Sequence, residues 1–412
     1  GRKGPVLIDI PMDVQREFVS SDTWCSSNEK SENKLAIIPE DKIQLLNQLI
    51  KSAKRPAFIF GNGIKESSYF NFETIRKASD FSIPIVLSLP AIDLLPTNQS
   101  NNFGLVGAYG KREANIILSK ADLVVSFGAR LDVRQVGGIR SDFAPNAQIV
   151  RIDIDTNETN YKIRDNDIIL PYDANLMLNH IDKQVCDKVQ WMKICCEIKE
   201  LLQKENLPTQ EIVRKLGAYL SNDAIITTDV GQNQIWIAQS FPFVKQRCLT
   251  SSGLGSMGYS LPASIGAYYA CGGKKQVVSF NGDGGIQMNI QELGVICRDQ
   301  LPIKVVVFNN EALGMIRAFQ EEYFGHYFMT TKGTGFSNPD YSKIAEAYNM
   351  EYCFANDPNE NYKDVFALNK PVLIEIGIAY LTYVYPKLMF KENNDNQFPY
   401  LPAALLSKIR KM

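Results

Sequence analysis

The stretch Val277-Val278-Ser279-Phe280-Asn281-Gly282-Asp283-Gly284 joins an apolar run to a carboxylate between two glycines. After the 24 residues 285–308 comes Asn309-Asn310, preceded by the apolar run Val305-Val306-Val307-Phe308. Each run has the length of a buried strand, and the segment between them favours a helix over 289–298. This order predicts a right-handed β-α-β unit whose two strands end, side by side, at Asp283 and Asn310.

The side chains at these strand ends suit a divalent cation and a diphosphate. Mg²⁺ takes hard oxygen ligands, usually one or two carboxylates together with phosphate oxygens of a ligand. Gly284 and Gly285 let the backbone approach a phosphate, and the following helix offers unpaired N–H groups to an anion. A lone Gly-Asp-Gly is more often a tight turn. Two strand-end ligands around one helix favour the metal and diphosphate site instead.

The motif from Asn281 to Asn310 resembles the cofactor motif of thiamine diphosphate-dependent enzymes, above all of acetohydroxyacid (acetolactate) synthase large subunits. The resemblance covers nearly the whole chain and implies an α/β fold with two doubly wound parallel-sheet domains, a Rossmann-like middle domain and a thiamine diphosphate-binding domain. Four further stretches carry it: 1–11 (GRKGPVLIDIP), 127–132 (FGARLD), 228–232 (TDVGQ) and 253–259 (GLGSMGY).

The resemblance also implies individual roles. It makes Asp283, Asn310 and the backbone carbonyl of Ala312 the ligands of Mg²⁺. Met257 would hold the thiamine in a bent conformation, and the carbonyl of Gly255 would accept a hydrogen bond from its 4'-amino group. The cofactor contacts expected in all are Gly231, Gln232, Asn233, Gly255, Met257, Gly282, Gly284, Gly285 and Met315.

Alternating helices and strands between residues 41 and 183 predict a parallel sheet wrapped by helices. The start of the chain is expected to lead into a short strand, and residues 16–35, rich in Ser, Asn, Glu and Lys, are expected to be a linker. The expected organisation is the end of a pyrimidine-binding domain at 1–15, a linker at 16–35, the middle domain at 36–185, a connection at 186–208, the diphosphate and Mg²⁺ domain at 209–385, and a C-terminal strap at 386–412.

The sequence allows two interpretations of the strand ends in the middle domain, flavin binding and plain turns. The resemblance implies FAD in the middle domain, where Arg130 and Arg134 lie beside a strand end and are suited to pair with a pyrophosphate. Gly61-Asn62-Gly63 and Gly128-Ala129-Arg130 each follow a strand, and plain strand-to-helix turns explain both equally well.

The resemblance implies a carboligation with pyruvate as the expected 2-oxo acid, which is decarboxylated before its acyl anion passes to a carbonyl acceptor. Phe319 stands where acetohydroxyacid synthases usually have a Trp that favours 2-oxobutyrate, so it is a candidate substrate contact, and a keto-sugar nucleotide is an alternative acceptor. The activating Glu of the family lies in a pyrimidine domain that these residues do not include. We therefore expect that domain in the same or a separate chain, and no turnover by the 412 residues alone.

Composition narrows the class of protein. A net charge of -1 and a pI near 6.3 argue against nucleic-acid binding, and no apolar run reaches the 18 residues of a membrane span. Eight scattered cysteines without a Cys-x-x-Cys pair favour reduced thiols and a cytoplasmic protein. The resemblance implies a homodimer or homotetramer. Two other functions remain: a decarboxylase or lyase on the same cofactor, and a non-enzymatic nucleotide-binding module of sirtuin or flavoprotein type.

Overall fold

The computed structural model of the protein describes residues 4–20, 37–202, 207–326, 328–355, 361–390 and 392–412. Two six-stranded sheets, parallel throughout, are flanked by helices. Parallel strands need long crossovers, which here are helical in the main. The expectation of an α/β fold with two doubly wound domains is confirmed.

The first sheet has the strand order β3-β2-β1-β4-β5-β6. Its strands are β1 (Pro56–Phe60), β2 (Ile85–Leu87), β3 (Asn102–Leu105), β4 (Leu123–Phe127), β5 (Gln148–Ile152) and β6 (Ile168–Leu170). The helices up to the end of this region are α1 (Met12–Gln15), α2 (Glu40–Ser52), α3 (Gly63–Glu66), α4 (Phe72–Ser79), α5 (Arg112–Lys120), α6 (Val133–Val136), α7 (Thr156–Asn160), α8 (Ala174–Asn179) and α9 (Val189–Leu202), with 3₁₀ turns at Leu89–Ala91, Arg140–Asp142 and Lys183–Cys186.

The second sheet has the order β11-β12-β10-β9-β7-β8 for its strands β7 (Ile225–Thr228), β8 (Arg247–Thr250), β9 (Val277–Gly282), β10 (Lys304–Asn309), β11 (Glu351–Ala355) and β12 (Val372–Gly377). Its helices are α10 (Pro208–Tyr219), α11 (Gln232–Ser240), α12 (Ser260–Ala270), α13 (Asp283–Ile286), α14 (Leu293–Arg298), α15 (Gly314–Phe324), α16 (Tyr341–Ala347) and α17 (Lys363–Ala367), with a 3₁₀ segment at Gln287–Glu292; α18 (Ala403–Lys411) closes the chain.

The strand order of the second sheet locates the site. From β7 the chain moves to β8 on one side and then returns to β9 on the other, so the order reverses between β7 and β9. Ligands of open α/β sheets bind outside the carboxyl ends of strands at such a reversal. The valines of β9 and β10 are almost fully buried from both faces, which holds those two strand ends in place.

Two expected elements differ in the structure. The helix expected over 289–298 starts earlier, at Asp283, and is broken at Asn289, whose backbone is not helical (φ -138°, ψ 34°). The amide of Asn289 donates to the carbonyl of Gly258 at 2.8 Å, a side-chain bond that competes with regular helix. No strand forms over residues 4–11, where the side chains are exposed and none of the described strands supplies hydrogen bonds.

The last part of the chain packs on the first sheet's domain. The guanidinium of Arg112 donates to the carbonyl of Gln397 at 2.6 Å, and the amide of Leu388 donates to the carbonyl of Ala108 at 2.7 Å. Ile409 of α18 is fully buried there. Within the described ranges, no helix combines the length and the apolar character needed to cross a bilayer. The seven cysteines in those ranges are all free thiols. Residues 21–36, most of the expected linker, lie outside the described residues.

Candidate active site

A cavity of about 1100 Å³ opens at the reversal of the second sheet. Its walls come from both domains, with Gly231 after β7, Gly282 at the end of β9 and Asn310 after β10 on one side, and Arg130 and Arg134 on the other. The structure therefore brings the residues expected to hold a cofactor together around one space.

Asp283 is held at the floor of this cavity. Its carboxylate accepts from the backbone N–H groups of Gly284 (2.8 Å, Oδ1) and Ala312 (3.1 Å, Oδ2), although the side chain is only 2 % exposed. Burial raises the pKa of Asp283 to about 6, while the hydrogen bonds it accepts act in the opposite direction. A carboxylate so deep, without a cationic side chain paired to it among the described residues, is suited to a metal ion.

A chain of polar side chains fixes Asp283 from behind. The amide of Asn338 donates to Asp283 Oδ2 at 2.9 Å and to Asn309 Oδ1 at 2.7 Å. Asn309 in turn donates to Glu375 at 2.6 Å, and Glu375 accepts from the hydroxyl of Tyr352 at 2.7 Å. Such outer partners orient a ligating carboxylate. Sequence reasoning missed Asn338 and Glu375, because no local motif marks them.

Asn310 and Gln232 meet across the carboxyl ends of β10 and β7. Nδ2 of Asn310 donates to Oε1 of Gln232 at 2.8 Å. The contact is close because Gly314 has no side chain: a Cβ there would lie 2.0 Å from Gln232 Oε1. The described residues contain no cluster of three or more His, Cys, Asp and Glu side chains. A metal here would thus depend on Asp283, on amide or backbone oxygens, and on oxygens of its ligand.

Asn233 carries unsatisfied polar groups beside this site. Its side chain is 2 % exposed, and neither Oδ1 nor Nδ2 has a hydrogen-bond partner in the part of the chain that the structure describes. Nδ2 lies 3.2 Å from the positions that a Cβ would take on Gly231 and on Gly282. Buried polar groups are rarely left without partners, so this amide indicates the place of a polar ligand.

The turn that contains Gly255 and Met257 is fixed to the end of β7. Asp229 accepts from the N–H groups of Gly258 (3.0 Å) and Tyr259 (3.2 Å), and its own pKa is raised by burial. Gly255 has φ 77°, in the left-handed region. Met257 Cε lies 3.5 Å from the position of a Cβ on Gly284, which places the thioether over the glycine turn, and both residues line the cavity.

The remaining expected residues are Met315, Phe319, Arg130 and Arg134, and all of them except Phe319 line the cavity. Met315 lines the cavity, whereas Phe319 is 55 % exposed, packs against Tyr323 with ring centres 4.6 Å apart, and is not part of the lining. Arg130 lines the wall and is paired with Glu158 at 2.9 Å. The guanidinium of Arg134 reaches within 3.7 Å of the position of a Cβ on Gly255, so it lies beside the turn of the other domain.

Comparison with known proteins agrees with this arrangement. Residues 43–181 match the family model described as the thiamine pyrophosphate enzyme central domain. Residues 229–376 match the model of the thiamine pyrophosphate enzyme C-terminal TPP binding domain. The match begins directly after β7 and ends one residue before the end of β12.

Three curated relatives are acetolactate synthase large subunits. The chain is 33 % identical to that of isozyme 1 of Escherichia coli over 94 % of its own length and 69 % of the relative's. It is 33 % identical to the Lactococcus lactis subunit, with 94 % and 68 % covered, and 31 % identical to isozyme 2 of Escherichia coli, with 94 % and 70 % covered. The chain therefore belongs to the thiamine diphosphate-dependent enzyme family, in which its relatives are acetolactate synthase large subunits.

Proposed function

We propose that the chain binds thiamine diphosphate with Mg²⁺ and serves the decarboxylation of a 2-oxo acid, pyruvate in the first place, followed by transfer of the acyl unit to a carbonyl acceptor. The observation that carries this proposal is the pair formed by the buried carboxylate of Asp283, directly after β9, and the amide of Asn233, in the first turn of the helix that follows the adjacent strand β7 and without a hydrogen-bond partner among the described residues. A metal-bound diphosphate would supply the positive charge that Asp283 lacks and the hydrogen-bond partners that Asn233 lacks among the described residues.

The residues present fit this cofactor. Asp283, Asn310 and the carbonyl of Ala312 would hold the metal, and Gln232 and Asn233 would lie against the diphosphate. The backbone approaches closely at the glycine turns, where side chains have no room: a Cβ on Gly284 would meet Leu313 at 2.3 Å, and one on Gly285 would meet Asp229 at 2.0 Å. The carbonyl of Gly255, next to Met257, would take the hydrogen bond of the 4'-amino group.

Thiamine diphosphate, when bound, supplies the electron sink that decarboxylation of a 2-oxo acid requires. The protein's own part is to orient the reactants and to balance charge. Arg134 has no ion-pair partner in the described parts of the chain and lies beside Gly255, so we propose that it binds the carboxylate of a 2-oxo acid. Met257, on the same turn, would exclude water from the reacting face.

The identity of the acceptor depends on the outer end of the cavity. Ile316 is the last residue of α15 that lines it, and Phe319 lies one turn further out, exposed. We propose that Phe319 contacts the acceptor as it approaches. A second 2-oxo acid and a keto-sugar nucleotide are both acceptors that such an open mouth admits. Release of a free aldehyde, without an acceptor, is the alternative reaction.

We propose that these 412 residues bind the cofactor weakly and do not turn over on their own. The resemblance places the activating Glu in a pyrimidine-binding domain, and the two family models that match the chain describe the central and C-terminal domains. The test is pyruvate consumption by the purified chain with Mg²⁺ and thiamine diphosphate, with and without a pyrimidine-binding domain cloned from one of its relatives. Fast consumption without the added domain would contradict this proposal.

NMR of the products then separates the candidate reactions. With the domain added, pyruvate alone should give an acetolactate-type carboligation product, and a second oxo acid or a keto-sugar nucleotide should give the mixed product. The Asp283→Ala variant should be inactive in every mixture. Acetaldehyde as the sole product would favour the lyase, and equal ligand binding by the wild type and the Asp283→Ala variant would favour a nucleotide-binding module.

The middle-domain half of the cavity is suited to a nucleotide, because Asn62 and Gly128 at the carboxyl ends of β1 and β4 line it together with Arg130. Arg134, the other arginine expected to bind FAD, lies beside Gly255, and we propose the substrate carboxylate as its ligand instead. We propose FAD as that nucleotide, with a structural role. A flavin absorption spectrum of the purified protein, and FAD released on heating, would support this. A colourless protein that gains no absorption on incubation with FAD would contradict it.

We also propose a homodimer or homotetramer as the working assembly. The support for this assembly is the resemblance, whereas the exposed apolar side chains between residues 6 and 19 favour contact with the proposed pyrimidine-binding domain. Sedimentation velocity gives the mass of the particle, and a monomer at every concentration would contradict the proposal.

A further inference from the structure

Arg317 is a buried cation under the active site with no carboxylate partner in the described ranges. Its side chain is fully buried on the inner face of α15, and it does not line the cavity. Nη1 donates to the carbonyl of Tyr380 at 2.5 Å and Nη2 to the carbonyl of Thr382 at 3.0 Å, while Nε has no partner among the residues described. The guanidinium lies 4.7 Å from the ring centre of Tyr383. Burying a charge without a counter-charge costs free energy, so the buried position of Arg317 needs a physical explanation.

The carbonyl of Thr382 is shared with the active site. It accepts from Nη2 of Arg317 and from Nε2 of Gln232, each at 3.0 Å. A backbone carbonyl accepts and never donates, and a guanidinium donates and never accepts. The amide of Gln232 must therefore turn its NH₂ group towards Thr382 and its Oε1 away from it.

The orientation of Gln232 fixes the orientation of the Asn310 amide in the same way. Oε1 of Gln232 accepts from Nδ2 of Asn310 at 2.8 Å, so Asn310 turns its NH₂ group towards Gln232 and its Oδ1 to the opposite side. Only Oδ1 can ligate a cation, because an NH₂ group presents hydrogens to it. Without a fixed acceptor at Thr382, both amides are free to turn over together.

We propose that Arg317 is a positioning residue: by holding the carbonyl of Thr382 it sets the amide orientation of Gln232 and, through it, directs Oδ1 of Asn310 to the metal. This inference rests on the proposed Mg²⁺ and thiamine diphosphate site. Removal of partners behind a metal ligand lowers metal affinity about 10–100-fold, and that range is the effect expected here.

The experiment is a Mg²⁺ titration at fixed thiamine diphosphate, followed by the fluorescence of Trp236, which lines the cavity. Arg317→Met should raise the apparent Kd for Mg²⁺ at least about tenfold, while excess Mg²⁺ restores wild-type affinity for thiamine diphosphate. Arg112→Met is the matched control, because Arg112 is also a buried arginine that donates to two backbone carbonyls, those of Gln397 and Pro399, without lining the cavity. It should leave the Kd for Mg²⁺ unchanged, whatever stability it loses.

Two further variants keep the test decisive. Arg317→Lys retains the charge but donates from one nitrogen instead of three, so it should fold and show an intermediate Kd even if Arg317→Met does not fold. Gln232→Ala should weaken Mg²⁺ binding as well. The variant that combines Arg317→Met with Gln232→Ala should bind Mg²⁺ no more weakly than the more affected of the two single variants, because both changes break the same chain of contacts. A folded Arg317 variant with the wild-type Kd, or additive effects, would overturn the inference. A wild-type protein that binds no thiamine diphosphate in the presence of Mg²⁺ would overturn the proposed function itself, a result separate from these.

Discussion

The buried carboxylate of Asp283 accepts hydrogen bonds, and its raised pKa is a measurable consequence of the burial. Burial raises the pKa from the ordinary 3.8 to about 6 in the unliganded protein. Because the folded value exceeds the unfolded one, this group's contribution to stability is complete below pH 3.8 and is lost as the pH rises through about 6. A metal-bound diphosphate needs the charged carboxylate, so cofactor binding should follow the opposite trend.

We expect the Asp283 carboxyl to titrate near pH 6 in the free protein and to stay ionised when Mg²⁺ and thiamine diphosphate are bound. Below pH 6, affinity should fall about tenfold per pH unit on account of this group. The measurement is the ¹³C shift of labelled aspartate carboxyl groups, with Asp283→Asn to assign the signal. A free-protein titration at the ordinary aspartate value, unchanged by ligand, would disagree with the site as built.

At the scale of single residues, the sequence is sufficient for the groups that sit on a motif. Asp283 and Asn310 each follow a buried strand, and the β-α-β spacing between them predicts that the two strands are neighbours. In the structure β9 and β10 are paired, so the two residues lie at adjacent strand ends. Asn338 and Glu375 lie far from the motif in sequence and reach it only through folding. No pattern of periodicity or spacing indicates such partners, because their contacts are set by the packing of α16 and β12.

Among the elements, the glycine turn at the start of α13 is tightly constrained. A Cβ on Gly285 would lie 2.0 Å from Oδ2 of Asp229, the same carboxylate that fixes the turn of Gly258 and Met257. The turn and the helix therefore cannot move independently, and the cofactor site depends on both.

Gly285→Ala should destabilise the protein by about 1–3 kcal/mol, the usual cost of overpacking, and should weaken cofactor binding further by displacing Asp229. Gly266→Ala is the control: Gly266 lies within α12, and apart from the helix's own backbone no atom of the described residues lies within 4 Å of a new Cβ, so this change should be neutral or stabilise by up to about 1 kcal/mol. Urea unfolding reports both. Equal stability of the two variants would mean that the turn is looser than the structure shows.

Predictability at this scale follows element length and local chemistry. The strands β1 and β4 begin and end where the apolar runs do, whereas β3 and β6, with four and three residues, are too short to show a pattern. The early start of α13 and the break at Asn289 were missed, since the break follows from a bond to Gly258, a residue of another element.

One contact between the two sheets of the molecule centres on the buried carboxylate of Asp93. Asp93, after β2, pairs with Lys65 of α3 at 2.6 Å, and both side chains are almost fully buried. The same carboxylate accepts from the backbone of Cys248 at 2.8 Å and faces Arg247 at 3.4 Å, both on β8 of the other sheet. Burial lowers the pKa of Lys65, and the charge of Asp93 opposes that shift.

Asp93→Asn should therefore weaken the coupling of the two domains, because it leaves Lys65 buried without its counter-charge, a loss of about 3–5 kcal/mol for a buried pair. Calorimetry should show one unfolding transition in the wild type and a separated or lower one in the variant. Glu73→Gln, which breaks the exposed pair with Arg76, is the comparison and should change nothing measurable. An unchanged transition in Asp93→Asn would show that the domains are coupled by other contacts.

The fold class of the whole molecule was predictable, since alternating helices and strands admit few arrangements. The strand order was not: the position of β12 between β11 and β10 depends on long-range pairing. The cavity that joins both domains, with Arg134 beside Gly255, likewise follows from how the domains pack rather than from either one's sequence.

The most direct test of the account is a crystal of the chain grown with thiamine diphosphate and Mn²⁺ in place of Mg²⁺, whose anomalous scattering locates the metal. We predict one strong peak at coordination distance from a carboxylate oxygen of Asp283, from Oδ1 of Asn310 and from the diphosphate. A metal bound elsewhere, or a diphosphate seated away from Asp283 and Asn310, would contradict the account.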